Sequence, residues 1–260
     1  MAVQLDVRQG VVLRAGEGEP LFGGRILIKA SFDELCVTET VYDRARDGAS
    51  PHYHRHHADS FYVLEGELAV LVHDEERVLG PGGYVCIPPE VVHGFRSTTR
   101  ARFLNFHTPD GGFADNLRAR DRGEPGGFDN VDTEPGAGAP PTDVVLLAAG
   151  EGERLEANDR VATIKVGREE LALIELEYKP GFEGPSPHEH DDHVDSFYVL
   201  EGEADFLMSA ETIRLGAGSF VAAPHGVVHA FSIPDAGPAR TRLLNIHAPS
   251  TGFHERLRRA

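Results

Sequence analysis

The chain has 260 residues, 40% of them hydrophobic, and carries 42 acids against 25 bases for a formal charge of -17. That surplus of acid argues against a nucleic-acid partner and against an anionic membrane surface, since both need clustered Lys and Arg. No apolar run approaches the roughly 20 residues that span a bilayer, and the opening "MAVQLDVRQGVVLRAG" lacks a basic start followed by an apolar core, so a cytoplasmic location is expected.

In chain order the first elements are short and β-like: "ELCVTETVY" (34–42), "DSFYVLEGELAVLVH" (59–73), "GYVCIP" (83–88) and "ARFLNFH" (101–107). They are rich in Val, Ile, Leu and aromatics, and Gly and Pro break them at intervals, as in an all-β sandwich or barrel. "ADNLRAR" (114–120) reads as a short closing helix with basic residues toward its C-terminus, as the helix dipole prefers. Residues 121–142, "DRGEPGGFDNVDTEPGAGAPPT", show no periodicity and read as a linker. The pattern then starts again. "DSFYVLEGE" recurs letter for letter at 195–203, 136 positions after its first copy, and "GGYVCIPPEVVHGF" (82–95) matches "GSFVAAPHGVVHAF" (218–231). The chain therefore divides into a lobe at 1–120, the linker and a second lobe at 143–260, which ends in a second short helix, "HERLRRA". The two cysteines, Cys36 and Cys86, face Ala172 and Ala222 in the repeat, which suits small buried side chains rather than a disulfide.

His52 and His54 lie two apart on a strand, so both side chains leave one face. Asp59 follows after a turn, and His93 comes from another strand. His188, His190, Asp195 and His229 repeat this set at identical spacings. Three imidazoles and a carboxylate suit one divalent transition metal per lobe: Fe, Mn, Ni, Co, Cu or Zn. Surface histidines at H-x-H spacing are common, but the whole set occurs twice between the same turns. His57 and His193 also repeat. They are open as a fourth ligand, as an acid/base at the rim, or as polar turn residues. His107 and His247 read as strand-end packing, and His56, opposite Asp192, as exposed.

"HYHRHHADSFYVLEG" resembles the first motif of the cupin superfamily, G-x5-H-x-H-x3-4-E-x6-G, and Gly66 and Gly202 take its closing glycine. "GGYVCIPPEVVH" and "GSFVAAPHGVVH" resemble the second, G-x5-P-x-G-x2-H-x3-N. The resemblance implies two tandem cupin-type β-barrels (double-stranded β-helix, or jelly roll), each with a metal. The motif's Glu is Asp in both lobes, so Asp59 and Asp195 are open as direct ligands, water-mediated ligands or outer hydrogen-bond partners. Ser97 and Ile233 stand where the motif has Asn, and Glu90 replaces the glycine that lobe two keeps as Gly226.

By the same resemblance the chain is similar to two-lobed flavonol (quercetin) dioxygenases. The implied activity is oxidation by dioxygen of a small aromatic, polyphenol or diketone-like substrate, with Asp59 and Asp195 as candidate catalytic bases. A non-redox isomerase, cyclase or lyase using the metal as a Lewis acid is the alternative, and a binding protein without turnover is a third. Phe61, Phe95, Ile174, Leu176, Phe197 and Phe231 are the candidate pocket walls, with plain core the competing role for each. The expected partners are the small substrate, dioxygen under the oxygenase reading, and a second copy of the chain in a homodimer. Lobe two, with Ile174 and Leu176 opposite Thr38 and Thr40 of lobe one and without the charged Glu90, is the expected substrate lobe.

Overall fold

The computed structural model describes residues 10–259. Strands dominate, the two helices Phe113–Asp121 and Phe253–Leu257 are short, and among the described residues no helix is long and apolar enough to cross a membrane. The chain forms two compact units: residues 20–151, here the N-terminal unit, and residues 10–19 with 152–259, the C-terminal unit.

In the N-terminal unit one antiparallel sheet runs from Val145–Leu147 through Tyr84–Ile87, Ala58–Val72, His93–Thr108 and Cys36–Tyr42 to Ile26–Ser31. Ala58–Val72 and His93–Thr108 pair along almost their whole length, with a register shift between Ser97 and Ala101. Gly66 sits at that shift with φ 71°, and a Cβ there would meet the Arg100 carbonyl oxygen at 1.8 Å. Only glycine fits such a position. Gly202, φ 80°, does the same in the C-terminal unit. There the strand is broken into Val194–Glu201 and Glu203–Met208, which lie in a seven-stranded and a three-stranded sheet.

Register sets which side chains share a face. Asp59 lies opposite His107 and Phe61 opposite Asn105, while His107 and Asn105 lie opposite Cys36 and Thr38 on the next strand. Directly paired residues point the same way, so the carboxylate, its neighbours and the Cys36–Thr38–Thr40 row belong to one interior face. Cys36 and Cys86 are buried and form no disulfide.

The units do not follow the division read from sequence. Val145–Leu147 hydrogen-bonds to Tyr84–Ile87 in the N-terminal unit, and Val11–Leu13 to Phe220–Ala223 in the C-terminal unit. Local pattern finds a strand but does not say which sheet edge it joins. Nor is 121–142 a free linker: Asn130–Asp132 pairs with His52–His54, the strand that carries two of the candidate ligands.

Candidate metal centres

The structure brings both predicted sets together. The ligand atoms of His52, His54, Asp59 and His93 lie within 4.8 Å of one another, as do those of His188, His190, Asp195 and His229. Backbone carbonyls fix the rings. Nδ1 of His52 donates to Ser50 at 2.7 Å, that of His54 to Asp129 at 3.0 Å and that of His93 to Val91 at 2.9 Å. In the C-terminal unit His188 donates to Ser186 and His229 to Val227, each at 2.9 Å. A carbonyl only accepts, so each of these Nδ1 atoms bears the proton and each neutral ring presents a bare Nε2 lone pair.

Those lone pairs face the carboxylates. Nε2 of His93 is 3.2 Å from Asp59 Oδ2, and Nε2 of His229 is 3.2 Å from Asp195 Oδ2. Two lone pairs so close need a cation or a shared proton. At His229 burial lowers the proton affinity, but Asp195 more than offsets this and the pKa is raised. Nε2 of His54 and of His190 is buried with no hydrogen-bond partner. Bare, convergent imidazole nitrogens beside a carboxylate fit a transition-metal ion.

The short Asp is held by a chain the sequence reading missed. Asn105 Nδ2 donates to Asp59 Oδ1 and to the Ser60 carbonyl, and its Oδ1 accepts from His107 Nε2 at 3.1 Å. Asn245 does the same for Asp195 at 2.6 Å, with His247 at 2.9 Å. One carboxylate oxygen is therefore engaged and the other aimed at the histidines. Burial alone would raise both carboxyls; the imidazoles around them, His107 and His247 first, outweigh it and hold each well below the ordinary carboxylate value. His107 and His247 are thus polar members of the site and not simple packing. Phe113 and Phe253, at the start of the closing helices, stack on them with ring centroids 3.7 and 4.5 Å away. The signal in sequence was the repeated "N-x-H", two residues apart on one strand face.

The two centres differ in exposure. In the N-terminal unit all four candidate ligands are buried, His52 the most exposed at 5%. Phe128 packs on the rings of His54, His57 and His107, and the Asp129 carboxylate accepts from the backbone amides of Arg55 and His56. In the C-terminal unit His188 and His190 are half-buried. His57 and His193 are both buried. His57 lies against His54 with its pKa lowered to about 3 by burial, while His193 donates from Nδ1 to Asp192 at 2.7 Å. His56 is exposed. Glu90 is exposed as well, at φ 66° where Gly226 has 72°, so it does not crowd His93.

The candidate pocket residues sit in the cores. Phe61 packs with Val63, Val85 and Phe103, Phe95 lies partly buried against them, and Ile174, Leu176, Phe197 and Phe231 share one cluster. A cavity of about 360 Å³ in the C-terminal unit is lined by Tyr178, Arg160, Lys179 and Arg240. Along its strand Tyr178 is six residues, roughly 20 Å, from Ala172, which pairs with His247.

The cupin domain model matches residues 41–107 and 174–247, more than half of the chain. The chain belongs to the cupin family. It is 23% identical to the quercetin 2,3-dioxygenase of Bacillus subtilis over 85% of this chain and 78% of that protein. Among solved structures, Bacillus subtilis oxalate decarboxylase, studied for its Mn(II) centres, matches with a TM-score of 0.58 at 17% identity, over 84% of this chain and 70% of that one. A Pseudomonas aeruginosa protein named for induction by glyoxylate matches with a TM-score of 0.65 at 18% identity, over 95% and 90%. At such identities these likenesses show the two-domain cupin fold.

Proposed function

We propose that this cupin is a metal-dependent enzyme whose turnover takes place in the C-terminal unit, and that it is a dioxygenase for a small aromatic or diketone-like substrate. The observation that carries the choice of unit is exposure: His188 and His190 are half-buried, whereas their counterparts His52 and His54 are covered. The reaction class is supported by the similarity to quercetin 2,3-dioxygenase over 85% of the chain. The small substrate approaches at the His188–His190 side, because the interior beyond Asp195 is filled by Phe197, Phe231, Ile174 and Leu176.

His188, His190, His229 and Asp195 hold the metal in this reading, and His52, His54, His93 and Asp59 hold one in the N-terminal unit. A bound divalent transition metal supplies a positive centre that polarises a substrate oxygen and, if redox-active, an electron path to dioxygen. The chain's own residues do the rest. Asn245 keeps Asp195 Oδ1 engaged, so the carboxylate stays in place as a ligand. Its depressed pKa makes it a weak base. His193 is better suited to take a substrate hydroxyl proton: Asp192 fixes its Nδ1–H, and Nε2 has no hydrogen-bond partner in the protein.

The test is oxygen uptake and substrate loss for a flavonol and a β-diketone panel, aerobically and anaerobically, with metal content measured on the same sample. Oxygen-dependent turnover that is lost in His229→Ala and kept in His93→Ala is expected. Turnover without oxygen uptake would replace the dioxygenase with a non-redox enzyme, and activity lost only in His93→Ala would move the site to the N-terminal unit.

A further inference from the structure

Beside each centre the repeat places a second histidine trio: His54, His57 and His107, matched by His190, His193 and His247. Among the described residues only the first trio brings its ligand atoms within 4.8 Å of one another. Phe128 is in contact with all three rings, at 5.0, 4.9 and 5.6 Å. The His54 and His107 rings are 5.6 Å apart, against 6.3 Å for His190 and His247.

The nitrogens in this pocket are left over from the hydrogen-bonding just described. His57 is 1% exposed, and neither of its ring nitrogens has a hydrogen-bond partner. Nδ1 of His107 and Nε2 of His54 are buried and equally unmatched. The nearest carboxylate, Asp129, reaches only 4.0 Å from His57 Nδ1 and already accepts from two backbone amides. A buried imidazole with both nitrogens idle is costly. In the C-terminal unit the matching ring is relieved, since His193 Nδ1 meets Asp192 at 2.7 Å and Thr251 Oγ1 at 3.4 Å.

We propose that His54, His57 and His107 form a second, all-imidazole cation position in the N-terminal unit, one that takes a late first-row ion such as Zn²⁺. It is distinct from the set of three histidines and Asp59, with which it shares His54. Nδ1 of His54 is committed to the Asp129 carbonyl, so only Nε2 is free, and the two positions exclude each other. The His54 and His57 rings stack at 4.1 Å. Chelation by both therefore turns one ring about χ2, a soft torsion for histidine. Three neutral nitrogens favour Zn²⁺ over the harder Mn²⁺, which gains more from a carboxylate. Asp59, whose Oδ1 is 3.5 Å from His107 Nε2, supplies the nearby negative charge.

The experiment uses the full chain with His188→Ala and His190→Ala to silence the C-terminal centre, and His52→Ala with His93→Ala to strip the first position. The metal-free protein is titrated with Zn²⁺ and separately with Mn²⁺ against a chromophoric chelator. One Zn²⁺ per chain is expected, with its affinity falling at least tenfold when His57→Phe is added, and no Mn²⁺ binding. No Zn²⁺ binding by a folded stripped chain, or no effect of His57→Phe, overturns the proposal. If circular dichroism shows the stripped chain unfolded, anomalous diffraction from Zn²⁺-soaked crystals of the milder His93→Ala chain decides, since an intact first position would compete for His54. A peak between His57 and His107 supports the position, and zinc confined to the His52 and Asp59 side refutes it.

Discussion

Replacing Asn245 by Ala tests whether the short aspartate works because it is clamped. Asn245 is 1% exposed and makes three contacts: Asp195 Oδ1 at 2.6 Å, the Ser196 carbonyl at 3.3 Å and His247 Nε2 at 2.9 Å. A hydrogen bond to a buried charge contributes about 1.5–3 kcal/mol, and a donor or acceptor left orphaned costs a similar amount. After partial relaxation the loss for the C-terminal unit is about 3 kcal/mol. At roughly 4 °C per kcal/mol for a unit of this size, its unfolding transition should fall by about 12 °C. Released from the clamp, Asp195 is free to turn both oxygens away from His190 and His229, and outer-sphere losses of this kind weaken metal binding by about 10–100-fold. Calorimetry of the metal-free chain reads the first effect, and competition against a chelator reads the second. Asn245→Asp keeps the size and the acceptor for His247 but sets a second carboxylate against Asp195, so it should weaken the fold and the metal site further. Asn105→Ala should act in the same way on the N-terminal centre alone. An Asn245→Ala chain that melts with the unmodified protein and holds its metal as tightly would refute the clamp.

Phe128→Ala should loosen the cover of the N-terminal centre. Losing about 1.5 kcal/mol of apolar burial makes local opening roughly tenfold more frequent, which stopped-flow capture of the metal by a chelator would show, with the C-terminal centre unchanged. The metal-free chain should be less stable in acid. Burial lowers the folded pKa of His52 and of His247 to about 4, below the 6.5 of an unfolded histidine. The unfolded chain therefore gains protons that the folded one refuses, and stability falls between pH 6.5 and 4 by about 3 kcal/mol per group. His229 acts in the opposite sense, because Asp195 holds its folded pKa above the unfolded value and its contribution is lost as pH rises through that raised value; urea titrations across the range check both limbs. Glu39→Leu removes the carboxylate 2.9 Å from the fully buried Lys29 and should cost about 3–5 kcal/mol. Adding Lys29→Met should recover most of that in the same denaturation assay. Gly66→Ala forces a Cβ onto the Arg100 carbonyl at a positive φ, so it should cost more than the ~1 kcal/mol of an ordinary glycine exchange and lower the yield of folded protein.

Much of this was legible because strands repeat every two residues and the chain repeats itself. H-x-H at the spacing of one strand face, a carboxylate at fixed distance and a histidine from further along converge in both units, although His52–His54 is a strand and His188–His190 makes only a single bridge, from His188 to His229, and the closing glycines mark the bend in the long strands. What pattern could not carry was partnership between distant strands. Val11–Leu13 and Val145–Leu147 are ordinary apolar triplets, and nothing local says which edge each completes. The role of Asn105 and Asn245 was hidden for a similar reason. An asparagine in a strand reads as polar decoration until register places it opposite Phe61 or Phe197 and beside the carboxylate.

The segment at 121–142 shows the same limit from the other side. Its Gly, Pro and acid content is that of a linker, and its one short strand is too brief to give a period. Yet Asn130 pairs with His54 and Asp132 with His52, and the carbonyl of Asp129 sets the tautomer of His54. A metal at the N-terminal centre therefore leaves only when this strand lifts or the first coordination shell breaks, while His190 in the C-terminal unit has solvent at its side. Identical donor sets with equal intrinsic affinity would then exchange metal at different rates. A selective pulse of chelator should empty the C-terminal centre first, and that order should reverse only in chains whose cover over His54 has been opened.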